Sequence, residues 1–249
     1  MYGKTIRLRR LFPSPERRLF SVPLDHALSM GPIDGLEELA PLAQELQDGG
    51  ADLLIVTKGA VRELAPVLKP STLLGVHVSA STSLGTSANH KRLVGTAAEA
   101  VGLGADLLSV QVNFGVPEEG DMLSDLGIAA DQCRQLGLPL LCMAYVKKGA
   151  GGTPEELRHA ARAAADLGAD IVKTSYPGSL DEFRKLCRTT PVPVLIGGGV
   201  RLEDEAAFLR LVDESMRSGA AGICIGRNLF QRRPVAPLAR RIATLLHGG

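Results

Sequence analysis

The stretch Gly168-Ala169-Asp170-Ile171-Val172-Lys173-Thr174-Ser175-Tyr176 has the pattern of a helix end, a tight turn and a buried strand. Glycine favours the left-handed position that follows a helix, and a short apolar run without alternation is typical of a parallel strand buried on both faces. Lys173 then falls at the carboxyl end of that strand. Because a buried ammonium is costly, we expect burial to lower the pKa of this lysine.

Two interpretations of Lys173 are open on this stretch alone. A strand-end lysine usually extends its stem over apolar surface and keeps its ammonium in water. The alternative is a Schiff-base lysine, since only a neutral amine attacks a carbonyl group. The rest of the chain favours the second interpretation.

The pattern of Gly-Ala-Asp or Gly-Ala-Ala followed by a short apolar run occurs four times. The copies begin at Gly50, Gly104, Gly168 and Gly219. Four further apolar runs occupy residues 19–24, 72–78, 138–145 and 192–196. Together they make eight candidate strands at fairly regular spacing, as a parallel sheet with helical crossovers requires.

Helical segments fill the gaps between these runs. They occupy 35–48, 61–68, 91–103, 118–136, 153–167, 179–188, 203–218 and 228–246. Thr153 before Pro154 and Glu156 is a typical helix start. We therefore predict one α/β domain over 1–249, a single (β/α)₈ TIM barrel with a short N-terminal extension. A doubly wound sheet would need a glycine-rich loop after its first strand, and Leu24-Asp25-His26 is not one.

The composition is that of a soluble globular protein, with 249 residues, 45% hydrophobic and 22% charged. The formal net charge of +1 gives no support for a nucleic-acid partner. No apolar stretch reaches membrane-spanning length and the N-terminus has no apolar signal region, so we expect no membrane partner. The cysteines, at positions 133, 142, 187 and 224, form no Cys-x-x-Cys pair, which suits a cytoplasmic location.

In TIM barrels the active site lies at the carboxyl ends of the strands. The polar residues predicted there are Asp25, His26, Thr57, Lys58, His77, Ser79, Gln111, Asn113, Tyr145, Lys173, Thr174 and Ser175. This set combines an amine, a carboxylate, a phenol and hydroxyls around one axis. It therefore predicts an active site that includes Lys173.

The last two strands end in glycine-rich turns, Gly197-Gly198-Gly199 and Gly226-Arg227-Asn228. Backbone amides approach phosphate oxygens closely where no Cβ intervenes, and Arg227 adds a charged donor. The alternative is that the triple glycine is only a flexible turn. Because both motifs follow adjacent strands, we predict a phosphate site at Gly198, Gly199, Gly226 and Arg227.

Four side chains near Lys173 are candidates for proton transfer or for hydrogen bonds that organise the site. Tyr145 is placed to exchange a proton near the carbonyl carbon, unless it only caps the barrel rim. Asp25 is a candidate base or a charge partner of Lys173, and taken alone it is more often a turn aspartate. His26 and His77 are weaker candidates, as hydrogen-bond organisers of the substrate site.

We predict no metal and no cofactor. A zinc site needs about three histidine or carboxylate ligands. The chain has five histidines, without a His-x-His or His-Glu-x-x-His pattern.

Several stretches resemble a known family. They are 23–26 (Pro-Leu-Asp-His), 77–84, 110–113, 125–127, 168–176 and 197–199. The chain resembles the DhnA-type (archaeal-type) class I aldolases over nearly its whole length. Within that family it is most similar to the branch of 2-amino-3,7-dideoxy-D-threo-hept-6-ulosonate synthases, which the run Ser79-Ala-Ser-Thr-Ser83 favours.

The resemblance implies a Schiff base on Lys173, acid–base chemistry by Tyr145 and a role for Asp25. It implies condensation of a phosphorylated ketone, either dihydroxyacetone phosphate or a deoxy-ketohexose phosphate, with L-aspartate 4-semialdehyde to give a C7 precursor. The alternatives are a class I fructose-1,6-bisphosphate aldolase and, from another class, a non-catalytic phosphate-binding barrel. The expected partners are small-molecule substrates.

The resemblance also implies a homo-oligomer, and the basic N-terminal arm from Arg7 to Arg18 is interpreted as solvated or as facing another subunit. Two departures from the family affect the mouth of the barrel. Ala27 replaces a glycine, and Tyr145-Val-Lys-Lys-Gly149 replaces Tyr-Pro-Arg-Gly. Lys147 or Lys148 then stands in for the arginine, without its bidentate geometry. We include Lys147 and Ser175 among the expected substrate-binding residues.

Overall fold

The computed structural model describes residues 2–149 and 151–248. Its strands are β1 (Leu19–Pro23), β2 (Leu53–Thr57), β3 (Leu73–His77), β4 (Ser79–Ala80), β5 (Arg92–Leu93), β6 (Leu107–Phe114), β7 (Leu140–Val146), β8 (Ile171–Ser175), β9 (Val194–Gly197) and β10 (Gly222–Cys224). Eight of them form a closed parallel barrel in the order β1-β2-β3-β6-β7-β8-β9-β10, with β10 beside β1. The strands β4 and β5 form a separate antiparallel hairpin. The predicted TIM barrel is confirmed.

Helices alternate with the barrel strands. They are α1 (Tyr2–Leu11), α2 (His26–Met30), α3 (Leu39–Asp48), α4 (Val61–Leu64), α5 (Ala97–Gly102), α6 (Glu119–Leu136), α7 (Pro154–Asp166), α8 (Leu180–Thr189), α9 (Glu205–Arg217), α10 (Arg227–Phe230) and α11 (Val235–His247). Their apolar faces and the outward side chains of the barrel form one large core. Within the described residues, no helix is long and apolar enough to cross a membrane.

The barrel interior changes from apolar to polar along its strands. Successive inward side chains are two residues apart, so each strand contributes to several layers. The layer at the amino ends consists of Leu19, Leu53, Leu73, Leu107, Leu141 and Ile171. Above it lie Ile55, Met143, Leu195 and Cys224. By this alternation the inward side chains at the carboxyl ends are His77, Gln111, Tyr145 and Ser175, which form a polar layer at one mouth of the barrel.

Helix α1 covers the opposite mouth. Leu8, Leu11 and Phe12 pack into the interior cluster from below. The Arg7 guanidinium donates to the carbonyl of Gly137 over 3.0 Å. The arm predicted to be solvated or subunit-facing thus packs one face on its own barrel, while Arg9 and Arg10 remain exposed.

The basic residues of this segment pair with the aspartates of the Gly-Ala-Asp repeat. The pairs are Lys4–Asp170 at 2.9 Å, Arg10–Asp106 at 2.7 Å and Arg17–Asp52 at 2.8 Å. Each aspartate also accepts the backbone N–H that begins a neighbouring strand, at Leu140, Leu74 and Phe20 respectively. The repeat thus ties the strands to one another and to the N-terminal segment.

Two predicted helices differ in the structure. Residues 91–95 precede α5 in extended form because β5 pairs with β4, and the side chain of Thr96 caps the shortened helix by accepting the N–H of Glu99. The predicted helix over 228–246 is divided into α10 and α11. Pro234 precedes α11, and a proline lacks the N–H that a continuous helix would need.

Candidate active site

Lys173 lies on β8 with its side chain directed into the barrel, where it is 5% exposed. The register pairs it with Met143 on β7 and Leu195 on β9. Its Nζ is 3.8 Å from the Met143 sulfur. The ammonium therefore lies on top of the apolar layers, at the base of the polar mouth.

Gly197 on β9 makes room for the two largest polar side chains of the site. A Cβ at this position would lie 3.2 Å from Cε of Lys173 and 3.4 Å from the hydroxyl of Tyr145. Both side chains therefore border the same small space. The Lys173 Nζ also lies 5.8 Å from the centroid of the Tyr145 ring. A carbonyl carbon bound at Lys173 would be within reach of the phenol.

The expected lowering of the pKa of Lys173 is wrong for the free enzyme. Burial alone lowers this pKa. The ionised forms of Cys224, Tyr145 and Asp25 would each raise it, and the net shift is upward. Burial raises the pKa of both the Cys224 thiol and the Tyr145 phenol, so both are neutral near pH 7. Asp25 is then the neighbour that carries a negative charge, and the site favours a cation on Lys173.

Asp25 follows β1 and lies between two histidines. Its carboxylate oxygens are 3.4 Å from Nδ1 of His26 and 3.6 Å from Nδ1 of His77. Burial alone would raise the pKa of Asp25, but nearby His77, His26 and Lys173 outweigh it and the net shift is downward. Asp25 is therefore ionised at neutral pH and available to accept a proton.

Both histidines next to Asp25 are neutral. Burial lowers the pKa of His77, and it lowers the pKa of His26 to about 4. The His77 Nδ1 lies 3.0 Å from Oγ of Ser109, a buried partner that the sequence interpretation did not include. Nδ1 of His26 is buried without a hydrogen-bond partner among the described residues. It lies 3.4 Å from the Asp25 carboxylate without making a hydrogen bond to it.

The two glycine-rich turns lie side by side. Gly199 has a φ of +63°, which favours glycine, and a Cβ at Gly198 would meet Ile225 at 2.7 Å. Asn228 ties the turns together by donating to the carbonyls of Gly198 and Val200 over 2.9 Å and 3.0 Å. The side-chain oxygen Oδ1 of Asn228 accepts the N–H of Leu202 over 2.8 Å. The sequence interpretation did not assign this role to Asn228, although Asn follows Gly-Arg directly.

Gly226 and Arg227 complete this side of the mouth. A Cβ at Gly226 would lie 2.7 Å from Cε1 of His26 and 2.7 Å from the carbonyl of Pro23. The close approach of β10 to β1 therefore requires glycine. Nε of Arg227 is buried without a partner in the described part of the chain, which leaves a charged donor for an anion.

The remaining predicted residues lie on the rim. Ser175 pairs in register with Gly197, next to the glycine turns. Lys147 is exposed, with its Nζ 5.5 Å from the centroid of the Tyr145 ring. Lys148 instead forms an ion pair with Glu156 at 2.9 Å on the outside. Of the two lysines, Lys147 is therefore the one whose Nζ lies beside Tyr145 at the mouth.

The structure thus brings Lys173, Tyr145, Asp25, His26, His77 and the glycine turns with Arg227 to one mouth of the barrel, whereas Thr174, next to the inward-facing Lys173, points away from it. Among the residues it describes, no group of three His, Cys, Asp or Glu side chains is arranged to hold a metal ion. What the mouth offers is a buried lysine, an ionised carboxylate, a neutral phenol and an adjoining set of anion-binding groups.

Comparison with known families gives one match over most of the barrel. The profile of the DeoC/LacD family aldolases matches residues 19–232.

Characterised relatives align over the full chain. A 2-amino-4,5-dihydroxy-6-oxo-7-(phosphonooxy)heptanoate synthase of Streptomyces griseus is 38% identical over 249 residues, 99% of this chain and 91% of the relative. A 2-amino-3,7-dideoxy-D-threo-hept-6-ulosonate synthase of Halobacterium salinarum is 36% identical over 248 residues, 98% of this chain and 92% of the relative.

Two solved structures of similar shape are archaeal aldolases. An archaeal fructose 1,6-bisphosphate aldolase superimposes with a TM-score of 0.88 at 28% identity, covering 99% of this chain and all of the other. A second structure, with a TM-score of 0.85 at 27% identity and covering 98% of this chain and all of the other, is described as an archaeal fructose-1,6-bisphosphate aldolase whose catalytic lysine is covalently bound to a carbinolamine intermediate.

Proposed function

The chain belongs to the DeoC/LacD family of aldolases, and from this premise we propose that it joins a phosphorylated ketone to L-aspartate 4-semialdehyde through a Schiff base on Lys173. The donor is dihydroxyacetone phosphate or a deoxy-ketohexose phosphate, and the product is a C7 amino acid precursor. The observation that supports this most is the burial of Lys173 beside Tyr145, directly next to the glycine turns.

The first step is binding of the donor phosphate. Gly198, Gly199 and Gly226 offer backbone without side chains, and Arg227 offers an unpaired charged donor. Because Gly198 follows Gly197 directly, a phosphate held there places the donor carbonyl near Lys173. The phosphate thereby converts attack on the carbonyl into an intramolecular step.

The second step is formation of the Schiff base. The resting ammonium of Lys173 gives a proton to the ionised Asp25, and the neutral amine attacks the donor carbonyl; one N–H proton moves to the oxygen, which gives a carbinolamine. Tyr145 donates a proton to the departing hydroxyl, water leaves and an iminium ion remains. The iminium has the same charge as the ammonium it replaces. Surroundings that favour a cation on Lys173 therefore also stabilise this intermediate.

The third step forms the new C–C bond. The iminium withdraws electrons, so either a proton leaves the adjacent carbon or a C–C bond of a longer donor breaks, and both give an enamine. The Tyr145 phenolate left by the dehydration accepts that proton, or the hydroxyl proton released when the C–C bond breaks to give an aldehyde. The enamine attacks the acceptor aldehyde carbon and Tyr145 returns the proton to the new alkoxide. Water then releases the product and regenerates the Lys173 ammonium, and the proton held by Asp25 restores the Tyr145 phenol.

A fructose-1,6-bisphosphate aldolase is the second candidate, because the structural neighbours at 27–28% identity are enzymes of that kind. The synthases are more similar in sequence, at 36–38% identity. Mass spectrometry of products formed from aspartate semialdehyde with each donor, beside a fructose 1,6-bisphosphate cleavage assay, separates the two. We expect a C7 product and slow or no cleavage; rapid cleavage without a C7 product contradicts the proposal.

A homo-oligomer in the cytoplasm is the remaining part of this proposal. Exposed apolar side chains such as Tyr2 and Leu84, at 89% and 94% exposure, support self-association. Sedimentation analysis tests it, with a multiple of the 26.3 kDa chain mass as the expected result.

A further inference from the structure

Lys91 is a second buried lysine at this mouth, with no part in the mechanism above. It is 7% exposed and directly precedes β5. Its Nζ donates to Oγ of Ser29 over 2.7 Å. No carboxylate among residues 2–149 and 151–248 lies within 4.0 Å of that Nζ. An ammonium has three donors, and here one neutral hydroxyl occupies only one of them.

The position of Lys91 is fixed by contacts that connect its loop to the catalytic strands. Ser29 lies on α2, four residues after Asp25, and its carbonyl also accepts the N–H of Ser83. At the other end of the loop, Asn113 on β6 donates to the carbonyl of Asn89 over 2.6 Å. The loop over 81–90 is thus held between α2 and β6, with Lys91 at its end.

Lys91 interacts electrostatically with the known groups of the mouth. Burial lowers its pKa, Asp25 opposes this and Lys147 adds to it. Lys147 in turn is influenced by Arg227. Lys91, Lys147 and Arg227 are therefore three cations at the same mouth.

The order of the barrel strands separates the loop that contains Lys91 from the turn that contains Arg227. In the closed ring, β3 is four strands from β9, and β6 is four strands from β10. The loop that contains Lys91 follows β3 and is bonded to β6, whereas the glycine turns and Arg227 follow β9 and β10. The mouth therefore has one cationic site on each side of Lys173.

A linear molecule with an anion at each end matches this arrangement. The name of the Streptomyces griseus relative describes such a product, with a phosphonooxy group at one end and a heptanoate carboxylate at the other. We propose that Lys91 binds the carboxylate of the aldehyde acceptor, across the mouth from the phosphate turns, and so selects acidic aldehydes. This inference rests on the proposed function. It assigns the carboxylate of the acceptor to Lys91, whereas the phosphate of the donor is bound by Arg227 and the glycine turns.

The physical reason lies in the desolvation of Lys91. A buried ammonium without a counter-ion is unfavourable, and a carboxylate ligand supplies both the missing charge and the missing acceptors. A neutral aldehyde supplies neither. The preference for an acidic acceptor then follows from binding, independently of the chemistry at Lys173.

The test compares Lys91→Met with the matched control Lys185→Met, since Lys185 is an exposed lysine on α8 paired with Glu182. We expect Lys91→Met to lower kcat/KM for aspartate semialdehyde by about 10- to 100-fold, the effect of losing a hydrogen bond to a charged group. Activity with the neutral aldehyde glyceraldehyde stays within about threefold of the wild type. Lys91→Arg restores most of the preference, which a merely structural role would not require.

Two further measurements separate the possible failures. Donor adducts trapped by borohydride without acceptor remain at wild-type levels in Lys91→Met; absence of the adduct in the wild type contradicts the proposed function itself. Binding of L-2-aminobutyrate, which has the acceptor's amine and carboxylate but no aldehyde, weakens about tenfold or more in Lys91→Met. Equal losses for acidic and neutral aldehydes, or a larger loss for glyceraldehyde 3-phosphate than for aspartate semialdehyde, overturn the carboxylate assignment.

Discussion

At the scale of single residues, the mouth is organised by charge. Asp25 is ionised, His26 and His77 are neutral, and Tyr145 retains its proton, each for the reason that burial and neighbouring charges dictate. Lys173 is the cation that this set surrounds. Its ammonium must lose a proton before attack, and the iminium that follows regains the favourable charge. The site is thus better matched to the intermediate than to the neutral amine.

Gly197 is the residue whose substitution tests this arrangement with the smallest change. In Gly197→Ala the new methyl lies 3.2 Å from both Cε of Lys173 and the carbonyl of Thr174, so the lysine must shift by a few tenths of an ångström. We expect kcat to fall about 10- to 100-fold, because small misplacements of reacting groups are costly. Gly120→Ala, at an exposed position with nothing within 4 Å, is the control and keeps full activity. Full activity of Gly197→Ala contradicts the geometry.

The lowered pKa of His26 predicts how the free energy of unfolding depends on pH. Its pKa falls from 6.5 to about 4 in the folded state, chiefly because of burial, so below pH 6.5 the unfolded chain binds a proton that the folded chain does not. The stabilisation is present above pH 6.5 and is lost as the pH falls towards 4. We expect His26→Gln to remove on the order of 2–3 kcal/mol of this acid-induced loss between pH 7 and pH 4.

Urea unfolding at a series of pH values measures this difference. His159→Gln is the control, since it replaces an exposed histidine on α7. Parallel profiles for the wild type and His26→Gln would show that His26 is not held neutral by burial.

At the scale of elements, the turns and hairpins at the mouth are defined by side chains that are distant in sequence. Asn228 after β10 holds the carbonyls of the turn after β9, and Ser29 on α2 holds Lys91 at the end of the hairpin loop. The opposite end of the barrel has its own device, in which repeated aspartates join strand starts to the basic N-terminal segment. Function and stability are therefore assigned to different ends of the same strands.

Substitution of Asp106 tests whether these aspartates stabilise the fold. Its carboxylate accepts the N–H of Leu74 over 3.1 Å and pairs with Arg10 over 2.7 Å. We expect Asp106→Ala to lower the free energy of unfolding by about 1–3 kcal/mol, because the N–H loses its acceptor. Arg10→Met removes only the half-exposed ion pair and costs less than about 1 kcal/mol.

Denaturant unfolding of both variants, with Asp131→Ala as the control, distinguishes the two contributions. Within the described part of the chain, the Asp131 side chain bonds only to Arg134 and Gln135 on the exposed face of α6, so its loss changes stability by about 0.5 kcal/mol or less. Equal effects of all three substitutions would mean that the bond to the Leu74 N–H contributes nothing.

At the scale of the whole molecule, the sequence predicted what depends on local pattern. The Gly-Ala-Asp repeat located four strands, and Thr153 capped its helix with the reciprocal hydrogen bonds that its spacing predicted. The polar strand ends indicated the mouth and most of its side chains. These features depend on neighbours in the chain, or on the rule that parallel strands end at one face.

What was not predicted depends on contacts between distant segments. The pairing of β4 with β5 overrides the helical pattern after Lys91, and the N-terminal arginines meet aspartates 35 to 96 residues away. The upward shift of the pKa of Lys173 arises from charges on other strands, which no local pattern contains. The roles of Ser109 and Asn228 have the same origin.

The central claim is that Lys173 forms an imine with a phosphorylated ketone. Borohydride reduction in the presence of donor, followed by mass spectrometry of the intact chain and of its peptides, tests it most directly. One reduced donor adduct per chain, located on the peptide that contains Lys173 and absent from Lys173→Ala, is the predicted result. No adduct in the wild type, or an adduct that persists in Lys173→Ala, contradicts it.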